Sequence, residues 1–312
     1  MQKIVITGAL GHIGSKLIRS LPEQVEDIEI VMIDNMLVQR YFSLFDLPSQ
    51  YRYTFIEDDI LTHDLDELFH GASHVVHLAA ITNAADSFGN ADEVEEVNYV
   101  GTKKVIDACI KNSSKLVFLS STSIYGTQNE VVDENCSKDE LNPQSPYAHS
   151  KFKSEAELKL HDNELDYIIL RFGTIFGTSR GMRFHTAVNK FCWQAVMGQP
   201  LSVWETAYNQ KRPYLDLEDA VNAIAFLIKN DIFDNDIYNV LTKNLTVKDI
   251  VDTIKLNLND VSINFVKTKI MNQLSYDVAN EKFKNLGFTF KGDTNTAIAD
   301  TINMLKSSNA RE

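Results

Sequence analysis

Nearly continuous apolar runs alternate with amphipathic stretches along the first half of the chain. Short runs rich in Val, Ile, Leu and Phe are typical of strands that are buried on both faces, as in a parallel sheet. They predict strands at 2–7, 28–34, Tyr53–Glu57, Ser73–Leu78, Lys115–Ser120 and Tyr167–Arg171. The intervening stretches predict helices at 12–20 (ended by Pro22), 62–70, 92–112 and 147–161. This order predicts an α/β fold with a doubly wound parallel sheet of the Rossmann type.

The regular alternation stops after about residue 172. Helical patterns follow at 183–198, 218–230, 246–257 and 294–306, with short strands between them. We therefore predict a first domain over 1–172 and a smaller C-terminal α/β lobe over 173–312. Ligands of such sheets bind at the carboxyl ends of the strands, so the lobe should close over that edge. The residues from Ser307 onward are polar and should form a frayed tail.

Composition limits the partners. The 312 residues carry 30 Lys and Arg against 43 Asp and Glu, a formal charge of −13. Nucleic acids and anionic membranes need basic surfaces, so neither is expected as a main partner. The three cysteines have no metal-ligand spacing, and no apolar run is long enough to span a bilayer. We expect reduced thiols, no metal, and a soluble cytoplasmic protein.

A glycine-rich turn follows the first predicted strand and opens the first predicted helix. Gly8 would permit the tight turn, Gly11 would let the backbone approach a pyrophosphate, and Gly14 would let the helix pack on the strand. The first N–H groups of that helix, around His12 and Ile13, would face the phosphates. This context predicts a dinucleotide site.

The second predicted strand ends at Asp34, followed by Asn35. An acid at this position accepts hydrogen bonds from the adenosine ribose hydroxyls and repels a 2′-phosphate. No arginine directly follows it, so the sequence favours NAD over NADP. Asp59 and Ile60, after the third strand, would flank the adenine, with an ordinary loop acid as the alternative for Asp59.

Tyr147 and Lys151 are four residues apart on a predicted helix and therefore project from one face. Moving the pKa of a tyrosine from about 10 to about 7 costs roughly 4 kcal/mol. One cation at about 4 Å supplies on the order of 4 kcal/mol at an effective dielectric of about 20. Lys151 and an oxidised nicotinamide could therefore make Tyr147 a base. With the dinucleotide site, this pair indicates reversible oxidation of an alcohol.

Several motifs occur in a characteristic order. They are Thr7-Gly8-x-x-Gly11-x-x-Gly14, Asp59-Ile60, His77-Leu78-Ala79-Ala80, Asn98-x-x-Gly101-Thr102, Ser120-Ser121-Thr122-Ser123-Ile124-Tyr125-Gly126, Tyr147-x-x-x-Lys151 and Leu170-Arg171-Phe172-Gly173. With them the chain resembles the extended short-chain dehydrogenase/reductase family, specifically its nucleotide-sugar epimerase/dehydratase group. The resemblance covers nearly the whole length. It implies an NAD-binding first domain and a lobe that mainly binds a nucleotide-sugar substrate.

The resemblance also implies roles for single residues. Tyr147 would be the base or acid on a sugar hydroxyl, Lys151 would hold the nicotinamide ribose, and Ser121 would hydrogen-bond the reacting oxygen, with Thr122 as the fallback near the substrate. Four further residues would line or support the cofactor site: Leu78, Ala79, Ala80 and Asn98.

Departures from the family pattern narrow the reaction. Sugar 4,6-dehydratases and decarboxylases of the family carry a carboxylate two residues before the tyrosine of the Tyr-Gly pair, where this chain has Ser123, preceded by Thr122. The cysteine of fucose-synthase-like enzymes is missing as well. The leading hypothesis is an NAD-dependent nucleotide-sugar 4-epimerase. The alternatives are a C4 dehydrogenase that yields a 4-keto sugar, and a non-catalytic dinucleotide sensor, which the Tyr/Lys pair disfavours.

Residues of the second half are candidates for substrate binding. Thr174 stands where many family members have an asparagine, and Arg212 matches their diphosphate-binding arginine, although Pro213 replaces the usual aspartate. Arg183 is a second candidate anion ligand, with a solvated helix position as the alternative. The resemblance further implies a homodimer that pairs the helices near 92–112 and 147–161.

Three other features have an open or structural interpretation. His77 is interpreted as a packed, hydrogen-bonded histidine, while His185 could lie at the surface or in a substrate pocket. The aromatic-rich stretch Tyr41–Phe55 is interpreted as a loop buried by its own aromatic rings, with contact to a substrate or partner as the alternative.

Overall fold

A single parallel sheet of seven strands forms the centre of the molecule in this computed structural model, which describes residues 1–126, 128, 131–137, 139–267 and 276–307. Its strand order is β3-β2-β1-β4-β5-β6-β10, and every neighbouring pair is parallel. The strands are β1 (Gln2–Thr7), β2 (Ile28–Asp34), β3 (Arg52–Glu57), β4 (Ala72–His77), β5 (Lys115–Ser121), β6 (Tyr167–Phe172) and β10 (Ile237–Val240). The doubly wound Rossmann-type fold is therefore confirmed.

Helices cover both faces of this sheet. They include α1 (His12–Gln24), α2 (Leu65–Phe69), α3 (Ala91–Glu95), α4 (Gly101–Asn112), α5 (Pro146–Leu158) and α7 (Leu217–Lys229). One apolar core joins α1 and α7 to one face, and a second joins α2, α4 and α5 to the other. Burial on both faces is the physical reason for the continuous apolar runs in the sequence.

The remaining elements form the second lobe. Its strands are β7 (Thr174–Phe176), β8 (Leu201–Trp204), β9 (Lys211–Asp216), β11 (Lys243–Thr246) and β12 (Ile263–Val266). Its helices are α6 (Ala187–Val196), α8 (Val247–Asn257), α9 (Glu281–Asn285) and α10 (Thr294–Lys306). A three-stranded sheet of order β11-β9-β7 and the pair β12-β8 share a core with α6, α8 and α10.

The chain returns to the large sheet after residue 172. α7 packs in the core of α1, and β10 extends the sheet beside β6. The division into 1–172 and 173–312 stays a prediction, to which the structure adds that 217–240 lies against the first unit. The predicted tail from Ser307 onward falls almost entirely outside the described residues.

Some predicted helix boundaries are wrong. α1 does not end before Pro22 but continues to Gln24. Pro22 lies in the last turn of the helix, and its side chain is buried. The helix predicted over 183–198 begins only at Ala187, so Arg183 and His185 lie in the preceding segment. The patterns predict amphipathic faces correctly, but helix ends depend on local packing.

Candidate active site

The glycine-rich turn joins β1 to α1 at the carboxyl edge of the sheet. Gly8 has a φ of +66°, and a Cβ there would lie 2.6 Å from a backbone nitrogen after β4. A Cβ on Gly14 would lie 2.5 Å from a carbonyl oxygen of the turn. Gly11 is the N-cap of α1 and supplies no side-chain cap, which leaves the first N–H groups, around His12 and Ile13, to an external acceptor. The turn therefore fits a dinucleotide pyrophosphate.

Asp34 lies beside this turn at the end of β2. Its carboxylate accepts hydrogen bonds from the backbone N–H groups of Leu10 (3.0 Å) and Met36 (3.1 Å). The Asn35 side chain donates to Asp59 across a 2.9 Å hydrogen bond. The structure thus brings the predicted adenosine-binding acids together at one edge, as expected when parallel strands end side by side.

Histidine 77 closes β4 inside the protein. Its ring is 1% exposed and hydrogen-bonds Thr7 Oγ1 (2.8 Å) and Thr102 Oγ1 (3.0 Å). Burial, followed by the charge of Lys151, lowers the pKa of His77 to about 3. The interpretation of His77 as a packed histidine is confirmed. The backbone of residues 78–80 passes directly over the glycine-rich turn, where a Gly8 Cβ would collide with it.

Asn98 lies in a π-helical turn, Glu96–Val100, between α3 and α4. Its side chain accepts from the Ile81 N–H (2.7 Å) and donates to the Ile81 carbonyl (2.9 Å) and to Ser150 Oγ (3.2 Å). π turns interrupt the regular helical pattern and are frequent at functional sites. Asn98 was predicted to support the cofactor site. Its hydrogen bonds connect the segment after β4 to α5. Ile60, which the sequence predicts to flank the adenine, packs its side chain against Gly101.

Helix α5 positions Tyr147 and Lys151. It begins after Ser145, whose side chain accepts from the Ala148 N–H at 3.2 Å, and it has proline at its first position. Tyr147 lies near Ser121, with which its hydroxyl shares a hydrogen bond. The Lys151 ammonium is buried and lies 4.8 Å from the centre of the Phe118 ring. The structure therefore brings the three predicted catalytic residues to one place.

Burial dominates the pKa values of Tyr147 and Lys151. Burial raises the pKa of Tyr147, while the Arg183 guanidinium and the hydrogen bond with Ser121 act in the opposite direction. Burial also lowers the pKa of Lys151 to about 8, opposed by the carboxylate of Glu155. In the chain alone, desolvation of the phenol outweighs the nearby charges, so the pKa of Tyr147 is raised. That Lys151 and an oxidised nicotinamide together lower this pKa stays a prediction.

A buried ion pair lies behind the catalytic helix, and the sequence analysis missed it. Glu155 and Arg171 are each 3% exposed and form a bidentate pair at 3.0 and 2.7 Å. Ser120 Oγ donates to the same carboxylate at 2.5 Å, and Arg171 donates to the Tyr125 hydroxyl at 2.9 Å. The signal was available, since Glu155 follows Lys151 by one further helical spacing of four.

The second lobe contributes Thr174, Arg212 and Tyr276 to the opposite side of the site. Thr174 is the first residue of β7 and pairs with Tyr214 in β9. Arg212 lies in the same strand, two residues before Tyr214. Tyr276 is 5% exposed, and its hydroxyl lies 3.4 Å from Thr122 Oγ1. The charge of Arg212 acts on the pKa of Tyr276, so Arg212 faces this side. Tyr276 was missed because a single tyrosine late in the chain carries no sequence signal.

Arg183 lies in the cleft. It is therefore not a solvated residue of a helix, which was the alternative interpretation of this arginine, since α6 begins only at Ala187. Its Nη1 donates to Thr82 Oγ1, and its charge acts on the pKa of Tyr147. His185 lies near the same guanidinium: desolvation, then the charges of Arg183 and Arg40, lower its pKa to about 4. Both residues therefore face the site from the segment before α6.

The aromatic stretch after β2 does not have the predicted buried form. Tyr41, Phe42 and Phe45 are 51%, 46% and 57% exposed. Tyr53 and Phe55 are partly buried against the core, and the Ser43 hydroxyl turns inward and donates to the Leu10 carbonyl at 2.9 Å. Over the described ranges, no group of His, Cys, Asp and Glu side chains is arranged to hold a metal ion. Within the same ranges, no helix combines the length and apolarity that crossing a bilayer requires.

Comparison with known proteins gives the family. The model of the NAD dependent epimerase/dehydratase family matches residues 4–240. An uncharacterized UDP-glucose epimerase of Bacillus subtilis (strain 168) is 31% identical over 237 residues, which cover 72% of either chain. A trifunctional UDP-glucose 4,6-dehydratase/3,5-epimerase/reductase of Arabidopsis thaliana is 28% identical over 92% of this chain, which spans only 44% of that protein.

The crystal structure of UDP-glucuronic acid 4-epimerase from Bacillus cereus, in complex with UDP-glucuronic acid and NAD, has the same fold. It superposes with a TM-score of 0.89 at 23% identity and covers 99% of this chain and 100% of its own. The glycine-rich turn and the acid at the end of β2 agree with the cofactor in the family's description. The chain therefore belongs to the NAD-dependent epimerase/dehydratase family, and its cofactor is NAD.

Proposed function

We propose that the protein is an NAD-dependent nucleotide-sugar 4-epimerase. The observation that carries the proposal is the hydrogen-bonded pair Ser121–Tyr147, with the buried ammonium of Lys151 four residues further along α5. The relative from Bacillus subtilis is named a UDP-glucose epimerase, and the structural neighbour from Bacillus cereus is a 4-epimerase of UDP-glucuronic acid. These names support a nucleotide sugar as the substrate class.

Bound NAD supplies a hydride acceptor and donor next to the sugar. Tyr147 would remove the proton from the C4 hydroxyl as hydride leaves C4. When hydride returns to the opposite face of C4, Tyr147 would give the proton back to the C4 oxygen. Ser121 hydrogen-bonds the same oxygen and keeps it aligned with the phenol. The Arg183 guanidinium favours the ionised phenol, and the Lys151 ammonium would hold the nicotinamide ribose. The raised pKa of Tyr147 in the chain alone makes proton removal dependent on the positive charge of the oxidised cofactor.

The residues next to this pair support proton and hydride transfer without elimination. Thr122 donates to the Phe172 carbonyl at 3.3 Å and is 3% exposed, while Ser123 has a buried hydroxyl without a partner among the described residues. Neither can act as a carboxylic acid on a neighbouring sugar carbon. A 4,6-dehydration therefore has no acid at the positions that the family uses.

The nucleotide part of the substrate would lie against the second lobe. Arg212 and Thr174, with Tyr276 beside them, face the active site from β9, β7 and the segment before α9. A guanidinium suits a diphosphate because it can donate two parallel hydrogen bonds. We further propose that the protein acts as a cytoplasmic homodimer.

Isotope retention tests the reaction. The purified protein with NAD is incubated with UDP-sugars deuterated at C4, and the products are identified by NMR. An epimerase gives the C4-inverted sugar with the deuterium retained, because the hydride returns to the same carbon. Accumulation of a 4-keto sugar with reduced cofactor would instead identify the C4 dehydrogenase, and unchanged sugars across the panel would contradict both.

Two tyrosine variants make this test specific. Tyr147→Phe should lower kcat by about a hundredfold to ten-thousandfold, the usual contribution of a general base, while NAD stays bound. Tyr53→Phe is the matched control, because the Tyr53 hydroxyl is buried without a hydrogen-bond partner in the part of the chain that the structure describes. Equal activity of the two variants would remove Tyr147 from the mechanism.

A further inference from the structure

Residues 178–185, here called the strap, lie directly on the glycine-rich turn. Gly181 donates its N–H to Ser15 Oγ at 2.8 Å, and a Cβ on Gly181 would lie 2.3 Å from the Leu10 carbonyl oxygen. Ser179 Oγ hydrogen-bonds His12 Nδ1 at 2.8 Å. The strap therefore packs against the cofactor turn at backbone distance, although more than 160 residues separate the two in sequence.

The strap and the turn bring together four basic side chains, here called the cationic clasp: His12, Arg40, Arg183 and His185. The charges of Arg183 and Arg40 act on both histidines, and Arg40 acts on Arg183. For all four side chains, desolvation is the first cause of a lowered pKa. The acids that act on the clasp are Asp34, which faces Arg40, and Asp86, which faces His185. Arg183 hydrogen-bonds neutral Thr82, so its positive charge is not neutralised there.

Two nitrogen atoms of the clasp lack partners. His12 is 3% exposed, and its Nε2 has no hydrogen-bond partner among the described residues; the same holds for Nε of Arg183. Leaving a buried donor unpaired costs free energy, and more so when it belongs to a charged group. Together with the uncapped start of α1, these donors define a site for an anion with several oxygen atoms.

We propose that the cationic clasp binds the diphosphate of NAD from the side of the second lobe, so that the strap closes the dinucleotide site. α1 would donate to the diphosphate from one side, and Arg183, Arg40 and His12 from the other. The two negative charges of a diphosphate match the two guanidinium groups. Release of NAD would then require the strap to lift from the glycine-rich turn.

The position of the clasp favours the cofactor over the substrate as the source of the diphosphate. Arg40 faces Asp34, the acid of the adenosine ribose site, and His12 begins the helix behind the glycine-rich turn. The candidate for the substrate diphosphate, Arg212, lies in β9 instead. This assignment differs from the sequence-based one, which placed Arg183 with the substrate.

Binding of cofactor fragments tests the proposal by titration calorimetry on the full chain freed of NAD. Arg183→Met should weaken ADP-ribose, which contains the diphosphate, by about tenfold to a hundredfold, the value of one or two charged hydrogen bonds. Adenosine, which lacks the diphosphate, should bind unchanged. Arg180→Met is the matched control in the strap, because Arg180 is exposed and pairs with Asp46 at the surface.

The two possible sources give opposite results. Loss of affinity for UDP with unchanged affinity for ADP-ribose would overturn the proposal and return Arg183 to the substrate. Unchanged affinity for both would also overturn it. The inference does not depend on which sugar reaction the protein performs, so its failure would leave the proposed epimerase intact.

A second variant tests the strap without removing a charge. Gly181→Ala should speed the dissociation of NAD, measured by exchange against labelled NAD, by about tenfold because the strap must lift. Gly89→Ala is its control, since a Cβ at Gly89 meets only an ordinary contact at 3.6 Å. Equal dissociation rates for the two variants, both folded by circular dichroism, would contradict closure by the strap.

Discussion

Burial decides what the histidines near this site can do. His77 and His12 are almost completely buried, and the pKa of each is lowered to about 3. His77 has both ring nitrogens engaged by Thr7 and Thr102 and therefore serves packing. His12 has one nitrogen engaged and one free among the described residues, so it can donate to a ligand. The hydrogen-bond partners of the two rings therefore distinguish a histidine that serves packing, His77, from one that can bind a ligand, His12.

The buried neutral state of His77 predicts a dependence of stability on pH. The unfolded chain binds a proton at His77 near pH 6.5 and the native protein only near pH 3, so the native state loses stability as pH falls below 6.5. The full effect is at most roughly 5 kcal/mol. The stability advantage of the wild type over His77→Gln, measured by denaturant unfolding, should therefore shrink between pH 6.5 and pH 4.

The exposed His70 supplies the control for this measurement. His70→Gln should leave the pH dependence of unfolding as in the wild type, because it removes an exposed side chain and no buried group. A constant difference between wild type and His77→Gln over this range would show that His77 is already charged in the native protein.

At the scale of elements, α5 combines catalytic and structural functions on one face. Tyr147, Lys151 and Glu155 follow one another at intervals of four residues, so the phenol, the ammonium and the carboxylate form a row along the helix. Arg171 from β6 closes the row by pairing with Glu155. The ion pair therefore fixes the helix to the sheet at the turn next to Lys151.

This arrangement makes Glu155 important for stability. Glu155→Gln leaves the Arg171 guanidinium buried without a counter-charge, which should lower the free energy of unfolding by about 3 to 5 kcal/mol. The double variant Glu155→Gln/Arg171→Met removes both charges and should recover a large part of that loss. Denaturant titration of the three proteins measures both effects, and additive losses in the double variant would contradict a coupled pair.

Elements with a strong local pattern could be predicted from the sequence. The six strands from β1 to β6 could be predicted because each is rich in Val, Ile, Leu, Phe or Tyr and lies between polar turns. β10, only four residues long, was not, since its place is fixed by pairing with β6 and not by its own composition. Likewise the Tyr147–Lys151 spacing is local, whereas Arg40, Thr82 and Tyr276 reach the site only through the fold.

At the scale of the whole molecule, the charge distribution is uneven. The chain carries a formal charge of −13, yet the cleft between the sheet edge and the second lobe contains Arg40, Arg183 and Arg212. A positive cleft in a negative protein concentrates anionic ligands locally while the surface as a whole repels nucleic acid. The ligands expected here, a dinucleotide and a nucleotide sugar, are both anions of small size.

The outer face of α4 and α5 bears on the proposed dimer. At the surface, the ion pair Lys103–Glu157 joins α4 to α5, and the ion pair Lys153–Glu95 joins α5 to α3. Along α5, Ala156 is exposed, and Leu160 just beyond the helix is 76% exposed. Exposed apolar positions at helical spacing are typical of a helix that packs against another protein surface.

A self-complementary contact of these helices across a two-fold axis would form a four-helix bundle. Light scattering after gel filtration should therefore give the mass of two chains. Ala156→Arg places a charge in the centre of that contact and should give the mass of one chain with unchanged circular dichroism. Leu256→Arg, on the exposed side of α8, is the control and should remain dimeric. A wild-type protein with the mass of one chain would contradict the proposed dimer. The exposed apolar residues of α5 would then have no partner surface in a second copy of the chain.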